Sequence, residues 1–429
     1  MAQPFSNQPS RRDFLRTGAL TVGSALASNL ALHSSVHAAG SDILKVGLIG
    51  CGGRGTGAAT QALKADPNTQ LIAFGDTFPD QIEKSIANLK KDGAIAGRVT
   101  ADSAHCFTGF DAYKQVIDSG VDVVLLCSPP HFRPAHLDYA VQKDKHIFCE
   151  KPVAVDAPGV RSVIETCKKA QEKKLSLVSG LCWRYDNGMR ATFDQIHQGG
   201  IGDIVTIQVS YNTQGLWMKP RKPEWSDMEW QVRNWLYFTW LSGDFNVEQH
   251  VHSLDKMAWA MKDVTPVKCV GLGGRQVRTS PEYGNVFDHM SVVYEYPNGV
   301  KGFASCRQQD GCAVDVSDHV FGTKGVCDVF KHKIKGEKLW KYDGPGNNMY
   351  QTEHDELFAS IRKGAPINNG DYMTKSTMLG IMGRMACYTG KEITWEMAMN
   401  SKEDLTPAKY EWASIPVPPV ALPGLTEFA

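Results

Sequence analysis

The chain has 429 residues, enough for two domains with substantial cores. Its 46 Lys plus Arg residues balance 46 Asp plus Glu, and it is 42% hydrophobic and 21% charged, as a globular protein is. With neither a basic excess nor a basic stripe, the sequence argues against a nucleic-acid partner.

The first segment reads as an address rather than as fold. Ser10-Arg11-Arg12-Asp13-Phe14-Leu15-Arg16 is a twin-arginine (Tat) signature, followed by a mostly apolar stretch from Thr17 to Leu32. Val36-His37-Ala38 then offers the small residues a signal peptidase needs. Gly and Ser dilute the stretch, and it is too short to span a bilayer comfortably. Residues 1–38 are therefore expected to be a Tat signal peptide, with the twin-arginine machinery as export partner and the periplasm or another exported location as destination. Its removal takes away three Arg and one Asp, leaving 43 positive and 45 negative residues, a net charge of −2. The eleven cysteines are odd in number, with no close pair at zinc or redox spacing. Several sit in or beside apolar runs, where a thiol acts as a small hydrophobe.

From Ile43 the pattern alternates. A strand is expected at Ile43 to Ile49, a helix at 55–65, a strand at Leu71 to Phe74 and a helix at Gln81 to Lys91. A buried strand follows at Val121 to Cys127, then a helix at 134–143 and a strand at His146 to Cys149. A helix at 160–173 and a strand at Leu175 to Ser179 complete the series. Strands alternating with helices imply a parallel sheet covered on both faces. Residues 39–182 are accordingly expected to form a Rossmann dinucleotide-binding domain of α/β class. Beyond them come β-rich runs at 204–212, 267–277, 287–297, 300–309 and 313–321, with helices near 248–261, 350–363 and 373–389. This predicts an α+β domain over 183–414, built on a large, mostly antiparallel open sheet that serves substrate and oligomer contacts. Residues 415–429 hold four prolines and are expected to run as an extended arm.

The first strand runs into Gly50-Cys51-Gly52-Gly53-Arg54-Gly55, a G-x-G-x-x-G loop that opens a helix. Glycine there permits a tight turn, close approach to a pyrophosphate and close helix–strand packing, and the helix N-terminus adds free N–H groups. Asp76 ends the second strand, where a carboxylate binds the adenosine ribose diol. An acid there repels a 2′-phosphate and favours NAD over NADP. Ser128, Pro129 and His131 leave the third apolar strand, and Glu150-Lys151-Pro152 leaves the next, all at the edge where the nicotinamide end belongs. A cationic nicotinamide would disfavour the ammonium form of Lys151 and suit it to acid–base work.

Further on, Glu248, His252 and Asp255 are four and three residues apart, so one continuous helix would align them on a single face. The set lacks further ligands, and no metal is expected. Arg184 and Tyr185, in Cys182-Trp183-Arg184-Tyr185, are candidate substrate contacts, with a structural ion pair as an equal alternative for the arginine. Five of the ten tryptophans fall between Trp217 and Trp240. Trp235 and its neighbours could stack on sugar faces while Lys219, Arg221 and Arg233 bind hydroxyls; packing or a subunit contact explains them equally well.

The glycine loop, Glu150-Lys151-Pro152 and Glu248-x-x-x-His252-x-x-Asp255 together resemble the Gfo/Idh/MocA oxidoreductases, over nearly the whole chain after the signal segment. The resemblance gives Lys151 a part in proton transfer and matches His252 to the catalytic histidine and Asp255 to the acid after it. Glu248 stands where the family has aspartate, and His250, a further candidate substrate contact, where it has glycine. The resemblance implies hydride transfer between NAD and a CH–OH group of a sugar, glycoside or polyol, in a homodimer or homotetramer. Lys151 and His252 would handle the hydroxyl proton while Glu248 or Asp255 orients the imidazole. Export implies a dinucleotide loaded beforehand and retained. Two other readings stand beside this one: an NAD-dependent glycosidase working by transient C3 oxidation and elimination, and a non-catalytic sugar-binding protein.

Overall fold

The computed structural model describes residues 42–429; the twin-arginine segment lies outside the described residues. The first apolar runs become strands because each is buried on both sides. β1 (Leu44–Ile49), β2 (Thr69–Asp76), β3 (Cys106–Thr108), β4 (Val123–Leu126), β5 (His146–Cys149) and β6 (Leu177–Ser179) form one sheet. Its order is β3-β2-β1-β4-β5-β6, and every pairing is parallel. Strand order reverses between β1 and β4, so a crevice opens at their carboxyl ends, where such folds bind ligands. One core packs Val46, Leu48 and Phe74 against helix Gly53–Ala65, and a second packs Val124, Leu126 and Ile147 on the opposite face.

The second sheet has nine strands: β7 (Ile204–Thr213), β8 (Lys268–Gly274), β9 (His289–Glu295), β10 (Lys301–Gln308), β11 (Asp315–Gly322), β12 (Gly325–Asp328), β13 (Lys333–Gly336), β14 (Trp340–Lys341) and β15 (Ile393–Thr394). Their order is β14-β13-β12-β11-β7-β10-β9-β8-β15, antiparallel except where β10 runs parallel to β7. The period of two is legible in β10: Gly302, Ala304 and Cys306 are buried in the core while Phe303, between the first two, is exposed. Helices Val251–Ala260 and Gly370–Thr389 cover the inner face. Val270, Leu272 and Phe303 remain exposed among the outward residues.

Three features depart from the sequence reading. Helix Met349–Lys363, expected to accompany the second sheet, instead places Leu357, Phe358 and Ile361 in the core around β1 and β2. Helix Gly370–Thr389 serves both sheets, with Met373 in a first-sheet core and Met378 to Tyr388 in the second-sheet core. The helix expected over 248–261 is broken into Phe245–Glu248 and Val251–Ala260. The C-terminal residues 415–429 contain no helix or strand, and Val420, Ala421 and Phe428 pack against the second-sheet core.

Candidate active site

The glycine loop is shaped by two steric demands and one vacancy. A side chain at Gly50, whose φ is +92°, would lie 2.4 Å from the backbone of Cys127, and one at Gly55 would lie 1.9 Å from the Gly50 carbonyl. Those two glycines let the turn and the helix press onto the sheet. A side chain at Gly52 or Gly53 would meet nothing within 4 Å, so those positions keep space open above the backbone. Helix Gly53–Ala65 begins there with no side-chain cap, leaving its first N–H groups to a ligand. This cradle fits a dinucleotide pyrophosphate.

Above it lies a cavity of about 1210 Å³, lined by Gly50, Gly52, Gly53, Arg54, Gly55, Asp76, Ser128, Pro129, Glu150, Lys151, Trp235, Glu248 and His252 among others. This exceeds the ~300–1,000 Å³ usual for a single small ligand and leaves room for cofactor and substrate together. Asp76 accepts the Cys51 N–H at 2.7 Å on Oδ2 and the Phe78 N–H at 2.9 Å on Oδ1. It thus braces the glycine loop as well as facing the cavity, and burial raises its carboxyl above the usual range.

The ionisable groups at the far end form an ordered chain. Lys151 Nζ donates to Glu248 Oε1 at 2.8 Å and to the Glu248 carbonyl at 2.6 Å. Their side chains are only 14% and 12% exposed, so the pair is held largely out of water beside the crevice. Glu150 accepts the Lys151 backbone N–H at 3.1 Å and pairs with Arg54. Arg54 also reaches Glu353 and Gln61, both at 2.9 Å. Its guanidinium is therefore committed to positioning Glu150 rather than free for phosphate, although it lines the cavity. Burial raises the Glu353 carboxyl well above its ordinary range.

His252 lines the same cavity, and its Nδ1 is buried without a partner. Burial, then the nearby Lys151, Lys256 and Arg54 cations, hold its imidazole well below the usual histidine range. Neither Glu248 nor Asp255 bonds to it, which corrects the expectation that one of them orients the ring: Glu248 is taken by Lys151 and Asp255 by Arg184.

Several sequence candidates lie outside the cavity lining. Asp255, 1% exposed, accepts Arg184 Nε at 3.0 and 3.1 Å, Arg184 Nη2 at 2.9 Å and the Ser376 hydroxyl at 2.8 Å. Arg184 is also paired with Asp263 at 2.6 Å, so the ion-pair alternative describes it. Tyr185 is buried and donates to Asn369 at 2.7 Å. His250 is buried with Nδ1 2.9 Å from the Asn246 side-chain oxygen Oδ1, and burial lowers its pKa to about 3. His131 packs its ring 4.9 Å from Trp240 and bonds Tyr410 at 2.7 Å.

Other cavity residues gave no local sequence signal: Arg133, His136, Gly180 and Tyr350 come from separated parts of the chain. Arg133 is 4% exposed and donates to the Pro152 carbonyl at 2.6 Å, bracing the peptide beside Lys151. Of the clustered tryptophans, Trp217, Trp225 and Trp235 line the cavity, while Trp230 and Trp240 are buried in an apolar cluster.

A parallel-sheet crevice with a glycine cradle and an acid–base group at its far end defines a nicotinamide-dependent oxidoreductase. Residues 44–177 match the family model described as "Oxidoreductase family, NAD-binding Rossmann fold", and residues 189–328 match the "GFO/IDH/MocA C-terminal domain". The chain belongs to the Gfo/Idh/MocA oxidoreductase family. It is 23% identical over 336 residues to inositol 2-dehydrogenase of Rhizobium meliloti (strain 1021), covering 76% of this chain and 90% of that protein. It is 26% identical over 219 residues to 2,7-anhydro-N-acetylneuraminate hydratase of Escherichia coli (strain K12), over 50% of this chain and about half (53%) of that protein. In fold it is similar to the aldose-aldose oxidoreductase of Caulobacter crescentus, complexed with glycerol, with a TM-score of 0.63, 19% identity and coverage of 82% of this chain and 99% of that one.

Proposed function

We propose that the protein transfers hydride between a CH–OH carbon of a sugar, glycoside or polyol and a retained NAD. The observation that carries this is one cavity holding both the glycine cradle and the Lys151–Glu248 pair, with His252 beside it. Bound NAD supplies the hydride acceptor. As hydride leaves the carbinol carbon, the hydroxyl proton must leave too. Lys151 can take that proton while passing one of its own to Glu248, 2.8 Å away, so Lys151 remains an ammonium and the pair gains the one proton, and one positive charge, that the alcohol loses. His252, kept neutral, is better suited to orienting the carbinol by hydrogen bonding than to holding the proton. Trp235 faces the same cavity and offers an aromatic face that suits a sugar ring.

Export by the twin-arginine route, periplasmic residence and retention of NAD are parts of this proposal. A protein that folds before export can carry its dinucleotide with it, and must then regenerate it on a second substrate or on the same one. The names of two similar proteins support such cycles: an aldose-aldose oxidoreductase and a hydratase. Transient oxidation at C3 followed by elimination, the glycosidase reading, shares the first step. The preference for NAD over NADP rests on Asp76. An association into dimers or tetramers is supported by the apolar outer sheet face, where Leu272 is 77% exposed.

The test is mass spectrometry of nucleotide released on denaturation, followed by a sugar panel read for products. A keto-sugar supports net oxidoreduction, and free aglycone without net redox supports the glycosidase. Absence of any nucleotide, with no binding of added NAD, would refute both.

A further inference from the structure

The wall over the adenosine half of the cavity is not built by the glycine-loop domain. Trp217, Lys219, Arg221, Trp225 and Arg233 follow β7 in the chain, yet share one cavity with Gly52 and Asp76. Sheet order puts β2 and β3 on one side of the crossover point, the side on which the residue ending β2 meets the adenosine ribose. The segment is fastened on that side. Arg233 Nη1 lies 3.0 Å from Asp80 Oδ1, and its guanidinium carbon sits 3.7 Å from the centre of the Phe78 ring. Phe78 and Asp80 stand two and four residues past Asp76.

A second piece of chain braces the first from outside. The Trp412 ring packs 5.5 Å from Phe78 and 4.8 Å from Phe110, the residue two past the end of β3. The Ala413 carbonyl accepts Met228 N–H at 3.2 Å, Gln231 Nε2 donates to the Ile415 carbonyl at 3.1 Å, and the Ser414 hydroxyl donates to Asp227 at 2.6 Å. Phe78 and Phe132 are buried in one apolar cluster with Met228, Trp230, Val232 and Trp240. That cluster joins loops after β2 and β4 to the 228–241 segment and is separate from the cores on the two sheets.

We infer that residues 217–235, braced by residues 410–415, are part of the dinucleotide-binding site and form the wall that must open before NAD leaves. The inference rests on the retention reading and supplies its structural cause. Departure requires separating Arg233 from Asp80 and Phe78 and parting an apolar cluster, so the wall acts chiefly on the dissociation rate.

The test is the release rate of NADH from loaded protein, read by loss of bound-nucleotide fluorescence after dilution into excess NAD, for wild type, Arg233→Gln and Trp412→Leu. Thermal melting establishes that each variant is folded. Trp412 is 47% exposed, so its replacement removes little core and carries the test should Arg233→Gln fail to fold. The expected result is release about tenfold faster or more in each variant, a barrier lower by about 1.4 kcal/mol. Release rates equal to wild type would overturn the wall. Wild-type release within seconds would overturn retention itself, so the two readings fail separately.

Discussion

The replacement Asp255→Ala separates the motif from the geometry. Its position three residues after His252 marks Asp255 as an acid for the imidazole, whereas the structure gives its oxygens to Arg184 and Ser376. Removing one partner of a buried ion pair costs about 3–5 kcal/mol. Arg184 keeps Asp263 at 2.6 Å, which places the cost near the lower end, about 3 kcal/mol. At about 2.1 cal/mol/K per residue, the described residues 42–429 have an unfolding entropy of about 0.8 kcal/mol/K, so the melting temperature should fall by about 4 °C. The assay pairs thermal melting with turnover measured well below the melting temperature, on the substrate found in the sugar panel. The expected outcome is a lower Tm with turnover within about threefold of wild type, less than the loss of a proton-transfer group would cause. An unchanged Tm with turnover reduced by about a hundredfold would return Asp255 to the chemistry and refute the reasoning.

Other outcomes follow from the same geometry. Lys151→Ala should lower turnover by about 10²–10⁴ while NAD remains bound, as mass spectrometry of the purified variant would establish. Gly53→Ala should leave Tm unchanged but weaken NAD binding in a titration, because its side chain enters the open space over the cradle; Gly55→Ala should lower Tm, because its side chain meets the Gly50 carbonyl at 1.9 Å. His131, His136, His250 and His354 are held neutral chiefly by burial, with pKa values of about 4, 3, 3 and 3. Their unfolded forms bind protons below about 6.5, so this stability is complete above that pH and is lost as pH falls towards about 4, at up to about 1.4 kcal/mol per pH unit for each group. Urea unfolding midpoints between pH 7 and 4 would reveal it, and a flat profile would contradict it. Leu272→Asp on the outer sheet face should shift the protein to monomer in size-exclusion chromatography with light scattering.

What the sequence made legible is what local physics dictates. Parallel strands buried on both faces must be continuous apolar runs, so β1, β4 and β5 could be read directly, and a loop as glycine-dense as 50–55 has few other uses. The break between Glu248 and Val251 was hidden because its cause is distant. Lys151 takes the Glu248 carbonyl, and the His252 N–H turns instead to the Gln249 carbonyl at 3.2 Å. No proline or glycine marks that interruption, and without it Asp255 was expected on the face of His252. Glu353 and Tyr350 reach the site only because their helix packs on the first domain, about 300 residues after the glycine loop in sequence. The parallel pairing of β10 with β7 was also hidden, since alternation marks a strand but not the direction of its neighbour.

The central claim is that the crevice presents the reactive ring of a bound dinucleotide to Lys151, Glu248 and His252. Its most direct test is a crystal structure of the protein with NAD and a polyol substrate bound. The account predicts pyrophosphate oxygens against the backbone of Gly52 and Gly53, and the carbinol oxygen within hydrogen-bond reach of Lys151 Nζ. A nicotinamide ring directed away from Lys151, or a polyol bound outside this cavity, would contradict it.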